Sequence, residues 1–506
     1  MTSQRDPATG ALIAAAGDDG TDLGPRLIIR STPLPAPSRL AVARRLSSAM
    51  VVVARRLSPV MTSIARRQPV DDAMLARALR TIFDDLGGSF AKFGQLLGSS
   101  PSLFGEVVAN EFRTTLDDVA PVARREVVLA IEDELGLPLS HLFASFDDEP
   151  LAAASLAVVH RATLLDGTPV AVKVLRPGIE AAMAVDLAVM GPLLGFIGRE
   201  VAIGIAGELP ALIAGFAEQL AEEVDLRNEA RSARWFDHLM RTMGITDVVV
   251  PLPIEGYVAK RVLVMDFLDG VPVDHVDEIA AMGIDPAPLV QNCVKAWFAS
   301  AICTGAFHGD VHAGNLLVTR DGRLGVLDWG IVGRLDDDTQ QFFRTVVDAA
   351  LGNDHAWVEV TRYAVSIYGA GVVEQLGVSD EVLVALVRGQ IEPLFRRPFG
   401  EINLADLVIA PDKANLARAD GVVPTEPPAM STFELWRTER ARRRSQDASG
   451  MRETSFDRGM FLLSKQLVYF DRYGKLFLPD VCLMWDESAF ERLMAEPMVP
   501  AEVPFS

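Results

Sequence analysis

Phe307-His308-Gly309-Asp310-Val311-His312-Ala313-Gly314-Asn315 runs directly into Leu316-Leu317-Val318, a turn at Asp321-Gly322, and Leu324-Gly325-Val326-Leu327-Asp328-Trp329-Gly330. Two short apolar runs flank an Asp-Gly turn signal, so they are expected to form a β-hairpin. The hairpin folds the chain back and brings Asn315 and Asp328 to the same end. An amide oxygen beside a carboxylate suits Mg²⁺, which takes few protein ligands and completes its shell with phosphate and water. Asp310 is then free to position or deprotonate a nucleophile. A competing reading makes His308, Asp310 and His312 a metal cluster, because imidazole is a frequent ligand.

Around this stretch lies a chain of 506 residues, long enough for two or three domains or one elaborated bilobal one. Hydrophobic residues make up 49%, ample for a large core, and the net charge of −20 argues against a nucleic-acid binder. Cys293, Cys303 and Cys482 form no Cys-x-x-Cys pair, which fits a reducing compartment and excludes a zinc ribbon. The apolar run 187–198 is short and bounded by Asp186 and Arg199-Glu200, so it reads as a buried helix and no transmembrane helix is expected. Residues 1–24 lack a basic segment before an apolar core, so no signal peptide is expected either. These readings place the protein in the cytoplasm, with peripheral membrane association left open by the next feature.

Residues 1–35 read as a disordered tail rich in Gly, Asp, Pro and Thr. Residues 36–70 form a basic amphipathic segment. Arg44-Arg45, Arg55-Arg56 and Arg66-Arg67 recur every 11 residues, close to three helical turns, so the pairs share a face. Val42, Leu46, Met50, Val53 and Leu57 line the other face, and Pro59 is expected to kink or divide the helix. Two readings stand: a helix lying on an anionic membrane surface, or one packed on the acidic body of the protein itself. Residues 71–140 form a helical extension whose pattern, Leu75, Leu79, Ile82, Phe83 and Leu86, continues past Gly87-Gly88 as Phe90, Phe93, Leu96 and Leu97. Within it, Lys92 and Gln95 share a face, and a buried Lys92 needs an acid partner.

Residues 141–268 are β-rich. A small-residue loop, Ala152-Ala153-Ala154-Ser155, precedes a strand at 156–162, a turn at Asp166-Gly167, and Val170-Ala171-Val172-Lys173-Val174. Taken alone, that last run suits any amphipathic edge strand. Glu222, Glu223, Asp225 and Glu229 span two helical turns, so different acids can serve different partners, or form an exposed acidic face. Strands follow at 248–251 and 262–265. Asp266-Phe267-Leu268-Asp269-Gly270 then reads as a connecting stretch whose backbone suits hydrogen bonding to adenine. Residues 269–400 are mostly helical, at 288–303, 337–351, 355–368 and 379–395. Residues 401–506 form a C-terminal helical region with a mobile loop at 408–430, a basic run at 437–444 that reads as a solvated face, and a last helix at 456–470.

The spacing His308-x-Asp310 with Asn315, and Asp328-x-Gly330 behind a hairpin, resembles a protein-kinase catalytic loop and its Asp-Phe-Gly motif. Val170-Ala171-Val172-Lys173 resembles the strand carrying the kinase phosphate-binding lysine. With Lys92-x-Gly94-Gln95, the Ala-rich run ending at Ser155, and Glu223-x-Asp225, the chain resembles the AarF/UbiB (coenzyme Q kinase-like) family of atypical kinases. The resemblance covers roughly residues 85–335. It implies an α+β fold: a bilobal protein-kinase-like body with a helical N-terminal extension and a helical C-terminal region. It implies ATP or ADP with Mg²⁺, Lys173 on the phosphates and paired to Glu229, Asp310 as the catalytic-loop acid, and Asn315 and Asp328 as metal ligands. It implies Ala152, Ala153, Ala154 and Ser155 in place of a Gly-rich loop, and Met265, Asp266 and Leu268 at the adenine. Lys92 would meet Glu223 and gate the cleft, together with Gln95 and Asp225. The implied role is support of isoprenoid quinone synthesis or lipid homeostasis, with an isoprenoid or lipid as partner. The sequence departs from the family pattern at Val158, Val311, Ala313 and Trp329.

Overall fold

The computed structural model describes residues 27, 29–66, 68, 71–98, 106–114, 121–201, 209–368, 379–404, 458–484 and 486–495. The loop expected at 408–430 and the basic run at 437–444 lie outside the described residues. Four helices open the chain: α1 (Arg39–Ala65), α2 (Asp72–Leu86), α3 (Gly88–Gly98) and α4 (Glu106–Phe112). α5 (Arg124–Leu135) and the single turn α6 (Leu139–Leu142) lead into β1 (Phe143–Phe146), β2 (Ala152–Ala153), β3 (Ala157–Leu164) and β4 (Pro169–Leu175). Next come α7 (Ile179–Val201), α8 (Leu209–Glu223) and α9 (Leu226–Thr242), then β5 (Val248–Val249), β6 (Pro253–Val258) and β7 (Val262–Asp266). The upper sheet has the order β1-β3-β4-β7-β6 with β2 alongside β3.

The period-2 alternation of β4 decides where its lysine goes. Val170, Val172 and Val174 join Val127 and Ile131 of α5 in one core. Leu175 faces the opposite side, in a second core with Met183 of α7, Leu220 of α8 and Ala230 of α9. Lys173 shares parity with Leu175 and so looks toward α9.

Residues 267–269 cross to the lower lobe, which begins with β8 (Gly270–Pro272), α10 (Val276–Ala281) and α11 (Pro286–Thr304). Asp285 caps α11 by accepting from the Ala287 N–H, Pro286 stands at its first turn, and Gly305 ends it at φ 70°. β9 (Ala306–His308), β10 (Leu316–Thr319), β11 (Leu324–Val326) and β12 (Val332–Arg334) carry the site. The helices α12 (Asp337–Ala350), α13 (Ala356–Tyr368), α14 (Asp380–Arg396), α15 (Arg458–Phe477) and α16 (Glu487–Ala495) complete the lobe. The fold is the α+β kinase-like body expected, with helices added at both ends.

Three expectations are corrected. Residues 29–35 are not part of a disordered tail. The Arg30 N–H donates to Asn228 Oδ1 at 2.9 Å, and Thr32 Oγ1 donates to Asp225 at 2.9 Å, so this segment docks on the start of α9. The helical pattern of residues 71–98 breaks at Gly87 and Gly88, both at positive φ, into α2 and α3. Pro59 neither divides nor ends α1. The carbonyl of Arg55, four residues back, which Pro59 cannot serve, accepts from Ser58 Oγ at 2.8 Å instead. The apolar run 187–198 lies in α7, of which Ile179–Ile197 is long and apolar enough to cross a membrane by length and composition alone, a test that a core helix also passes. Asp186 interrupts that run, but its carboxylate is met by Arg45 at 2.7 Å and by the Ser89 N–H at 3.1 Å.

Within the arginine repeat, Arg45, Arg55 and Arg56 of α1 meet acids of the protein itself. Ala49, Val53, Leu57 and Val60 are buried against α2 and α7, whereas Met50 is exposed. Arg55 and Arg56 both reach Asp85, at 2.6 and 2.7 Å, and hold its carboxyl down at about 2. A charge placed under this helix would be buried without a partner. Val53→Asp is expected to undock α1, read as faster amide exchange across residues 39–65 with the sheet still protected. Unchanged protection would show that α1 does not depend on this face.

Candidate active site

The hairpin forms as expected. β10 and β11 pair antiparallel with Leu316 opposite Val326, and Gly322 takes φ 80° in the turn. Beyond the ladder, the Leu327 N–H donates to the Asn315 carbonyl at 2.8 Å, which holds Asn315 beside Asp328. Asp328 has φ 53°, the one positive-φ residue other than glycine among those described. Such backbone is sparsely populated and clusters at functional sites.

Lys173 joins the two lobes at this point. Its Nζ lies 2.8 Å from Glu229 Oε2 and 2.9 Å from Asp328 Oδ1. Burial works against the lysine charge, but the two carboxylates outweigh it and keep the ammonium protonated. Burial pushes the Glu229 carboxyl up to about 7 against the pull of Lys173. For Asp328, burial is outweighed by Lys173 and by the Gly330 N–H, and its carboxyl is held at about 2. Its side chain remains 45% exposed, open to the cleft.

The catalytic-loop residues are held from behind. His308 Nδ1 accepts from the Asp310 N–H at 3.0 Å, so its proton sits on Nε2, which donates to the Leu327 carbonyl at 3.0 Å. Both ring nitrogens are used, which rules His308 out of the metal cluster considered above. Among the described residues no three His, Cys, Asp or Glu side chains converge on a metal position. Burial lowers the His308 pKa, so this neutral clamp is stable. Trp329 Nε1 donates to the Val326 carbonyl at 2.9 Å, and its ring lies 4.2 Å from Phe236 of α9. The Asp-Trp-Gly segment is thereby packed onto the helix that carries Glu229. Asn315 Nδ2 donates to the Asp310 carbonyl at 2.9 Å, which commits its amide nitrogen and leaves Oδ1 as its acceptor. One amide oxygen and one carboxylate, both hard ligands, fit Mg²⁺ completed by phosphate and water.

Lys92 and Glu223 form the ion pair expected of them, both largely buried, with Gln219 Nε2 also on Glu223 at 2.9 Å. Gly94, on the same helix, permits close packing of α3 on α2 and α4. A Cβ there would meet the Phe112 ring at 3.1 Å and the Phe83 ring at 3.3 Å. Gln95 is half-buried on the same helix. Asp225 is not part of the gate. It caps α9, and its oxygens are taken by Arg227 at 2.7–2.8 Å and by Thr32. An aspartate just before an apolar helix start is well suited to that role.

Ala152 and Ala153 pair with Val159 and Val158, and the Ala154 N–H donates to the Ala157 carbonyl at 2.9 Å. The Ala-rich segment, with Ser155 in its turn, is thus a tight hairpin, and Arg176 Nε closes it on the Ala154 carbonyl at 2.8 Å. Met265 and Asp266 end β7, and Leu268 lies in the crossing between lobes. The Asp266 N–H already donates to the Leu252 carbonyl at 3.0 Å, so it is committed within the protein.

Three charged residues escaped the sequence reading. Lys465 on α15 lies 2.7 Å from Asp310 Oδ1. Arg334 and Arg458 both reach Glu222, at 2.5 and 2.7 Å, and outweigh its burial to hold its carboxyl below the usual range. Burial likewise pushes Asp310 up, but Lys465 outweighs it, and Asp310 lies below the usual carboxylate range. The signal in the sequence was slight: Arg458, Lys465, Gln466 and Tyr473 recur at helical spacing among the apolar residues of one helix.

The description of the ABC1 atypical kinase-like domain matches residues 114–361. An uncharacterised Mycobacterium tuberculosis protein is 33% identical over 81% of this chain and 76% of its own length. An uncharacterised aarF domain-containing protein kinase of Arabidopsis thaliana, named as chloroplastic, is 31% identical over 81% of this chain and 73% of its own. A protein of Marinobacter nauticus named as a probable protein kinase UbiB is 31% identical over 65% of this chain and 60% of its own. With its lysine, acids and hairpin arranged as described, the chain belongs to the ABC1 atypical kinase-like family, which includes the AarF and UbiB proteins.

Proposed function

We propose that this protein is an Mg²⁺- and ATP-dependent phosphotransferase or ATPase that serves isoprenoid quinone synthesis or lipid homeostasis. The observation that carries the chemical part is the convergence of Lys173, Glu229 and Asp328 within 2.9 Å, with Asn315 tied alongside through Leu327. Lys173, fixed by Glu229, is placed to bind phosphate oxygens. Asn315 and Asp328 would hold Mg²⁺, which supplies charge neutralisation and orientation at the phosphates when bound. Asp310 would accept the acceptor's proton. The Lys92–Glu223 pair and the tight Ala-rich hairpin count against a peptide acceptor at the cleft and favour a small one. The quinone or lipid role rests on the likeness to proteins named UbiB.

The test is turnover of labelled ATP with a total lipid extract, with and without anionic vesicles, and with Mg²⁺ withdrawn by chelation. The expected result is Mg²⁺-dependent turnover and a labelled lipid-soluble product. Mg²⁺-ATP binding without turnover under every condition would favour a nucleotide-gated binding protein, a reading that the Lys465–Asp310 pair also suits. Attachment to a membrane is tested separately. Arg44 of α1 and Arg66 just beyond its end are exposed, and each basic residue near an anionic surface contributes about 1 kcal/mol. Arg44→Glu with Arg66→Glu is expected to weaken vesicle co-sedimentation more than about tenfold at fixed salt. Equal co-sedimentation would remove α1 from that role.

A further inference from the structure

Phosphoryl transfer asks for positive charge where the terminal phosphate passes. The loop from His308 to Asn315 contains no lysine or arginine. Lys173 is held back by Glu229 and by Asp328, which follows the hairpin whereas the acceptor's acid, Asp310, precedes it, and Lys92 is paired to Glu223. A further ammonium, on Asp310 itself, arrives from α15, beyond residue 361, where the kinase-like match ends. Lys465 is largely buried, with its Nζ 2.7 Å from Asp310 Oδ1.

The helix that brings it is built onto the loop. Gln466 Oε1 accepts from the Val311 N–H at 2.8 Å, and its Nε2 donates to the Gly309 carbonyl at 2.6 Å. Tyr473 donates to the Val311 carbonyl at 2.9 Å, and Arg458 ties the start of α15 to Glu222 at 2.7 Å. Gly309 and Val311 flank Asp310, so α15 grips the catalytic loop from both sides of its acid. These contacts anchor the helix without the lysine. A buried ion pair is a poor way to gain stability, since apolar replacement is often neutral or better. The ammonium therefore needs a reason other than anchoring.

We propose that Lys465 contacts the terminal phosphate of the nucleotide bound in the cleft, so that a helix outside the kinase-like domain completes the phosphate site. This inference rests on the reading that the cleft binds Mg²⁺-nucleotide. Asp310 holds the ammonium at the mouth of the site until a more highly charged partner arrives. The contact is selective by construction, because only a nucleotide with a third phosphate reaches it.

The experiment compares calorimetric affinities for Mg²⁺-ADP and for a non-hydrolysable Mg²⁺-ATP analogue in wild type, Lys465→Met and Lys465→Arg. Lys465→Met is expected to weaken the triphosphate about 10- to 100-fold, the effect of one charge-assisted contact, and to leave ADP within about twofold. Lys465→Arg should recover most of the loss. If the methionine variant does not fold, Lys465→Gln, which still donates to Asp310 but carries no charge, is expected to show the same selective loss. Equal weakening of both nucleotides, or no change in either, overturns the contact and leaves the functional reading standing. So does a selective loss that disappears in an Asp310→Asn background, where Lys465 would only have shielded the acid. Wild type that binds neither nucleotide overturns the functional reading and this inference with it.

Discussion

Asp328→Asn is expected to weaken Mg²⁺-nucleotide binding more than about 100-fold while the protein stays folded, since outer-shell partners of a metal already cost 10- to 100-fold and this is a ligand itself. The substitution is nearly isosteric. Asparagine tolerates the φ of 53° found at this position better than most residues, so the backbone should not move. What changes is charge. The carboxylate that would hold Mg²⁺ becomes a neutral amide, and Lys173, which now divides itself between Glu229 and Asp328 at 2.8 and 2.9 Å, keeps one acid partner. Affinity for free nucleotide, measured with chelator present, should change far less, because Lys173 still faces the phosphates. Calorimetry with and without Mg²⁺ reads both. A folded variant with unchanged Mg²⁺-ATP affinity would sink the assignment of Asn315 and Asp328.

The centre of this site was legible because its chemistry is local in sequence. Asn315 and Asp328 flank one hairpin whose turn at Gly322 dictates their meeting, and Asp310 lies five residues before Asn315. Lys173 was legible because strand parity fixes its face. Glu229 and Glu223 could be told from Glu222 only through the family resemblance: the sequence put all three on two turns of one helix, whereas Glu222 and Glu223 end α8 and Glu229 lies on α9. The contacts of α15 were not legible. Lys465 and Asp310 are 155 residues apart, and a lysine on an apolar helix carries no sign of the acid it will meet. Asp225 was misread for a related reason: cap and charge partner look alike until the helix start is located. The docking of residues 29–35 was hidden by composition, because its polar groups look solvated until Asn228 and Asp225 are seen to receive them. In the arginine repeat the period was readable, but its partners were not. Asp85 and Asp186 sit on other helices, and only tertiary packing turns a basic face inward.

Lys92→Ala is expected to open the cleft and raise labelling of the protein itself by ATP, while impairing its native role. Lys92 and Glu223 have side chains 15% and 11% exposed, so removing the lysine strands a mostly buried carboxylate. Breaking such a pair costs about 3–5 kcal/mol when it is fully buried, and somewhat less at this exposure. The cost should not appear as unfolding. α3 is anchored independently on α2, where the rings of Phe90 and Phe93 lie 6.0 and 6.1 Å from that of Phe83. The strain is relieved where the structure is weakest, by movement of the Lys92 side of α3 away from α8. Ala154→Gly should act in the same direction by another route. Ala154 is exposed at the hairpin that would lie over the phosphates, with its N–H on Ala157 and its carbonyl held by Arg176. Glycine gives that backbone conformations alanine disfavours, so the hairpin can reshape over bound nucleotide. Incorporation of radiolabel by wild type, each variant and the Asp328→Asn control decides the matter. If both variants remain as unlabelled as that control while folded and bound to ATP, the Lys92–Glu223 pair is scaffold, and the cleft is closed by something other than α3.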